Sequence, residues 1–184
     1  MALNLPNQIT VARLVISVLL FVFMSIDRFT PSLVCFALAA GTDWIDGYIA
    51  RKYKLVTQLG RILDPFADKV LICGIFIFLA AEPNSQILPW MTVVIVGREL
   101  LVTALRSFLE QQGGDFSAKM AGKLKMVFQC AAAILSLLVL IQRENVNDTL
   151  QLATVVTVWL AVASTVYSGL GYVITAAKMI KAQA

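Results

Sequence analysis

Hydrophobic positions along this chain neither alternate nor form narrow stripes. They come in long runs, roughly 9–26, 32–51, 62–81, 87–108, 119–141 and 150–176, parted by short polar breaks. A bilayer core of ~30 Å accepts about 20 helical residues, so each run is long enough to cross a membrane. The breaks carry turn chemistry: Asp27-Arg28 and Pro31, a basic stretch over 51–61, Pro83-Asn84, Gly113-Gly114, and Asn145-Val146-Asn147-Asp148. The pattern predicts an all-α integral membrane protein, a bundle of six transmembrane helices forming one domain over 1–184. The first run has only a weak basic flank and no small-residue cleavage site, and further apolar runs follow it. It therefore reads as a mature helix rather than a secretory signal.

Composition agrees. Hydrophobic residues make up 59% of the 184 positions, and mean hydropathy is +0.83, both outside the range of soluble domains. A net charge of +4 would raise nucleic-acid binding in a soluble chain, but here it reads as cationic loops at a membrane surface. Histidine is absent, which leaves proton transfer chiefly to carboxylates. Cys35, Cys73 and Cys130 sit singly inside apolar runs, without metal-ligand or redox spacing, and read as small core residues. Lysine and arginine are distributed unevenly. Arg13, Arg51, Lys52, Lys54, Arg61, Lys69, Arg98, Arg106, Lys119, Lys123, Lys125, Lys178 and Lys181 fall on one side of the predicted bundle, and only Arg28 and Arg143 on the other. The positive-inside rule places the first side, with both termini, in the cytoplasm.

Four aspartates lie between positions 43 and 68 on that side. Asp43, Asp46, Gly47 and Ala50 stand at i, i+3, i+4 and i+7, one helical face, and Asp64 and Asp68 share a face of the next helix. If the two helices form an antiparallel hairpin, the four carboxylates converge. Their mutual repulsion calls for cations, and an all-oxygen donor set without histidine or cysteine suits Mg²⁺, then Mn²⁺ or Ca²⁺. Asp64-Pro65 also has the form of a helix N-cap followed by proline.

The full pattern reads Asp43-x2-Asp46-Gly47-x2-Ala50-Arg51-x8-Gly60-x3-Asp64-x3-Asp68, and it resembles the signature of the CDP-alcohol phosphatidyltransferases at every fixed position. The resemblance implies two divalent ions, Mg²⁺ or Mn²⁺, held by Asp43, Asp46, Asp64 and Asp68. It implies Asp68 as general base, and Gly47, Ala50, Arg51 and Gly60, with Asn7 and Thr10, around the CDP diphosphate. A homodimer is implied as well. Pro6-Asn7-x2-Thr10-x2-Arg13, Asp64-Pro-x-Ala-Asp68-Lys69, Gly97-Arg98-Glu99, Leu105-Arg106 and Gly122-Lys123-x-Lys125 with Gln129 further resemble the branch of that family that makes phosphatidylglycerophosphate in bacteria. That branch transfers the phosphatidyl group of CDP-diacylglycerol to sn-glycerol 3-phosphate. Met126 departs from it, standing where the pattern has a small hydroxyl residue.

The remaining polar residues admit independent readings. Thr10 and Arg13 enter a lipid-spanning helix one turn apart and are costly there unless they face protein or a polar cavity. Arg98 and Glu99 lie inside an apolar run. Neighbours at i, i+1 point about 100° apart, so each is expected to have its own partner. Lys119 and Lys123 crowd a helix start, the wrong end for cations unless an anion binds there. With Arg13, Arg98, Arg106 and Lys125 they could form a cationic pocket for an acceptor phosphate. Small and hydroxyl residues of the last run, Ser164, Thr165, Ser168, Gly169 and Gly171, read as packing positions. Alternative functions are the same transfer to inositol phosphate or another acceptor, an intramembrane prenyltransferase, and an ion-coupled transporter. The prenyltransferase should show two separate aspartate-rich motifs in a longer chain. The transporter should spread its carboxylates near the midplane, whereas these cluster at one interface.

Overall fold

The computed structural model describes residues 5–53, 58–111 and 120–183; the side chains of several residues at helix ends, 43–53 among them, lie outside that description. Six α-helices follow one another: α1 Leu5–Ser25, α2 Phe29–Tyr53, α3 Gln58–Ala81, α4 Pro89–Gln111, α5 Met120–Gln142 and α6 Asp148–Gln183. A 3-10 turn, Arg143–Asn145, links the last two. Among the described residues no strand occurs. The fold class is that of an all-α membrane protein, as the apolar runs predict.

The helix ends explain themselves locally. Helix α1 closes in a Schellman arrangement, in which Arg28 N–H donates to Phe23 C=O at 2.9 Å and Asp27 N–H to Met24 C=O at 3.2 Å. Asp27 takes the left-handed place usual for glycine, with φ 56°. Pro89 opens α4, where its missing N–H costs nothing. Asn147 caps α6 by accepting the Thr149 N–H at 2.9 Å. Helices α2 and α3 run further into the basic 51–61 stretch than the apolar pattern reaches, because arginine, lysine and glutamine are good helix formers once outside the hydrocarbon. Pro65 lies within α3. Asp64-Pro65 is therefore not a helix start, and the N-cap reading is corrected.

Packing closes the helices into a ring in the order α1, α2, α5, α6, α4, α3, with α3 also touching α5 and α2. Its centre is filled by Leu20, Phe36, Ile75, Phe76, Leu79, Ile95 and Leu137, all fully buried. The three cysteines are partly buried, with Cys35 and Cys130 packed against this core. Polarity is arranged opposite to that of a soluble bundle. On α1 the buried residues are Asn7, Thr10, Arg13, Ser17, Leu20 and Met24, while Val11, Val15, Val18 and Val22 face outward. On α6, Thr154, Thr165 and Ser168 are buried, and Leu152, Trp159, Tyr167 and Leu170 are exposed. Apolar residues outside and hydroxyls inside are what a lipid solvent selects. The buried hydroxyls of Ser17, Thr154 and Thr165 donate to carbonyls four residues back, so they remain satisfied without water.

Six helices match the number expected, but their apolar content differs. Asn7–Ser25, Leu124–Gln142 and Asp148–Met179 are apolar enough to cross a membrane by length and composition, while the apolar part of α2 is the shorter Phe29–Thr42. Helices α3 and α4 are 24 and 23 residues long, but Asp64, Asp68 and Lys69 interrupt one, and Arg98, Glu99 and Arg106 the other. These are the helices that carry the polar site. The turns after α1, α3 and α5 gather at one end around a cavity of about 390 Å³ lined by Asp27, Phe29, Glu82, Asn84, Leu140 and Arg143. There, burial and the Asp27 charge push the Glu82 carboxyl above its ordinary range, with Arg143 opposing. Alternation of the helices puts the start of α1, the end of α6 and the charged residues of α3–α5 named above at the opposite end.

Candidate active site

The site is built on α1 and α3–α6, at the end opposite that cavity. Its carboxylate half lies between α1 and α3. Asp64, exposed, and Asp68, half-buried, are one turn apart on α3 and share a face. Across from them, the fully buried Thr10 of α1 donates its hydroxyl to Asp64 Oδ1 at 2.5 Å. Asn7 and Arg13, 3% and 1% exposed, flank Thr10 on the same buried stripe of α1. Gly60 is buried at the start of α3. Lys69 turns back along its own helix and donates to the Pro65 carbonyl at 3.0 Å. Asp43, Asp46, Gly47, Ala50 and Arg51 fall on the last turns of α2, and Lys123 on the first turn of α5. Their side chains, and the whole of Lys119, lie outside the described residues.

The cationic half lies among α4, α5 and α6. Arg98 and Glu99 do have separate partners: Arg98 Nη2 donates to Ser168 Oγ on α6, and Lys125 Nζ of α5 donates to Glu99 Oε1. They also pair with each other, Arg98 Nη1 to Glu99 Oε1 at 3.2 Å, which the 100° separation did not lead us to expect. Arg98 and Arg106 stack over one ring, with their Cζ atoms 5.6 and 5.9 Å from the centroid of Tyr172. The Tyr172 hydroxyl accepts from Arg106 Nη2 at 3.4 Å. Gln129 donates to Thr165 at 3.0 Å. Gly169 leaves room for the Arg98 stem, since a Cβ there would stand 3.0 Å from Arg98 Cγ.

Helix α3, which carries Asp64 and Asp68, packs on both α4 and α5, the helices of Arg98, Glu99, Arg106 and Lys125. Arg13 lies on α1, which among the described residues packs on α2 and α3. Sequence reasoning left Ser168 and Tyr172 without a role. Both lie on the face of α6 that also buries Thr165 and Ala176, so a polar stripe at spacings of three and four was the available signal.

Comparison with known proteins bears on this geometry. Residues 3–167 match the family described as CDP-alcohol phosphatidyltransferase. The chain belongs to that family. Among family members, the CDP-diacylglycerol–glycerol-3-phosphate 3-phosphatidyltransferase of Rickettsia typhi is 37% identical over 173 residues, covering 92% of this chain and 94% of that protein. The protein of the same name from Bacillus subtilis is 36% identical over 184 residues, covering 92% and 93%. The one from Yersinia pestis is 30% identical over 177 residues, 94% of each chain.

The carboxylate half also fits hard divalent cations. Asp64 and Asp68 offer oxygen donors only, and the Thr10 hydroxyl occupies one lone pair of Asp64 and fixes its rotation, as an outer hydrogen bond does for a metal-binding carboxylate.

Proposed function

We propose that the chain transfers the phosphatidyl group of CDP-diacylglycerol to sn-glycerol 3-phosphate, giving phosphatidylglycerophosphate and CMP. The observation that carries this reading is the packing of α3, which bears Asp64 and Asp68, on α4 and α5, which bear Arg98, Arg106 and Lys125. The names of the relatives support the same donor and acceptor.

In this reading Asp43, Asp46, Asp64 and Asp68 would hold two Mg²⁺ or Mn²⁺ ions, which would supply positive charge against the diphosphate and the departing CMP. Thr10 keeps Asp64 oriented. Asn7, Gly47, Ala50, Arg51 and Gly60 border the CDP diphosphate. Lys119, Lys123 and Lys125, with Arg98 and Arg106, neutralise the acceptor phosphate, and Arg13 adds charge from the α1 side. The acceptor's 1-hydroxyl attacks the lipid-bearing phosphorus, its proton passes to Asp68, and the P–O bond to the CMP phosphate breaks. Lipid tails stay in the bilayer while the head group enters sideways at the interface.

The thirteen-to-two division of basic residues supports a cytoplasmic site and cytoplasmic termini in the cell (inner) membrane. The family resemblance supports a homodimer. CMP release by purified protein in detergent with CDP-diacylglycerol and Mg²⁺ tests the acceptor directly. Release with glycerol 3-phosphate, and not with inositol phosphate, serine or no acceptor, is expected. Preference for another acceptor would overturn the branch. No release with any acceptor from folded protein would favour a transporter.

A further inference from the structure

The cationic half is over-charged for a buried site. Among the described residues, one carboxylate, that of Glu99, faces Arg98, Arg106 and Lys125 there, shared between Lys125 and Arg98. Lys125 and Glu99 are each under a tenth exposed. Nε of Arg98 and Nε of Arg106 are buried with no hydrogen-bond partner among the described residues. Among the described residues this leaves an excess of two positive charges with two Nε donors unused, which is costly at a bilayer interface. It corresponds to one phosphomonoester, which carries about −1.5 to −2 at neutral pH.

The two guanidiniums repel each other, and something must hold them together before the anion arrives. Tyr172 is placed to do so. Its ring lies under both Cζ atoms, at 5.6 and 5.9 Å, and offers its electron-rich face to both cations. Being 4% exposed and packed against Val102 and Ala176, it is itself held in place. Ser168, one turn back on α6, holds the Arg98 fork from the side. The hydroxyl contributes less, since its contact with Arg106 spans 3.4 Å.

We propose that Tyr172 is a positioning residue for the acceptor, its ring pre-setting Arg98 and Arg106 as a pair of forks for a phosphomonoester dianion. The proposal rests on the function given above. A tyrosine that merely filled space would affect both substrates alike, whereas this one acts on the acceptor alone. The role is assigned to the aromatic face.

The test is CMP release by the full-length protein in mixed micelles with Mg²⁺, titrated in turn with glycerol 3-phosphate and with CDP-diacylglycerol. In Tyr172→Leu the KM for glycerol 3-phosphate should rise about tenfold, with the KM for CDP-diacylglycerol within about twofold of wild type. Tyr172→Phe should keep both values within about threefold. An unchanged acceptor KM in Tyr172→Leu, or an equal rise in both KM values, would overturn the positioning role. If the leucine variant does not fold, Tyr172→Phe decides: a near-wild-type acceptor KM supports the ring, and a rise of about tenfold overturns it. Wild-type protein that releases CMP without glycerol 3-phosphate would instead remove the functional reading beneath the proposal.

Discussion

Thr10 shows how one hydroxyl can serve both burial and chemistry. At 0% exposure on a membrane helix it needs an acceptor, and it finds one in Asp64 Oδ1. The same bond fixes the carboxylate that is proposed to hold a cation. Loss of an outer-shell partner of this kind costs about 10–100-fold in metal affinity or activity. Thr10→Val should therefore lower kcat/KM by about that factor and raise the Mg²⁺ concentration needed for half-maximal rate, while Thr10→Ser should restore both. A valine variant with an unaltered Mg²⁺ requirement would leave Thr10 a packing residue. At this scale the sequence was informative wherever a charge or hydroxyl stood in an apolar run, as Thr10, Arg13, Arg98 and Glu99 do. It was silent on Tyr172, because a tyrosine near the end of a membrane helix is ordinary at an interface, and nothing in one dimension shows two arginines from α4 above its ring.

Helices α1 and α3, which bring Thr10 to Asp64, are held together by a close approach further along. A Cβ on Gly74 of α3 would lie 2.1 Å from Phe21 Cζ of α1, and the Phe21 ring is stacked on Phe78 with centroids 5.4 Å apart. The ring has no easy retreat. Gly74→Ala should cost about 1–3 kcal/mol by overpacking and lower the melting temperature in detergent, whereas Gly41→Ala, with nothing within 4 Å of its added Cβ, should not. Equal melting temperatures for the two variants would contradict the close contact. The runs of hydropathy located six helices because lipid demands length and apolarity and little else. They misjudged the ends of α2 and α3, where the chain leaves the hydrocarbon and helix propensity takes over. They also suggested a cap at Asp64-Pro65, which the structure places inside α3, because proline one residue after aspartate looks the same at a start as at an interior turn.

Across the whole molecule, the ring of helices separates two ends with different chemistry. One end gathers Asp27, Glu82 and Arg143 around a cavity; the other brings together carboxylates from α3 and cations from α4 and α5. That second end is proposed as the meeting place of two phosphorylated substrates, the expectation that the family resemblance of the motifs raises. What spacing could not supply is the Glu99–Lys125 pair between α4 and α5 and the packing of α3 on both of those helices. The decisive measurement is the lipid formed from CDP-diacylglycerol and labelled glycerol 3-phosphate by metal-stripped protein, before and after Mg²⁺ is returned, with Asp68→Asn beside the wild type. Labelled phosphatidylglycerophosphate should form only after Mg²⁺ is restored, and only in the wild type, while the variant remains folded. Equal product in EDTA, or from Asp68→Asn, would contradict transfer at the carboxylate face.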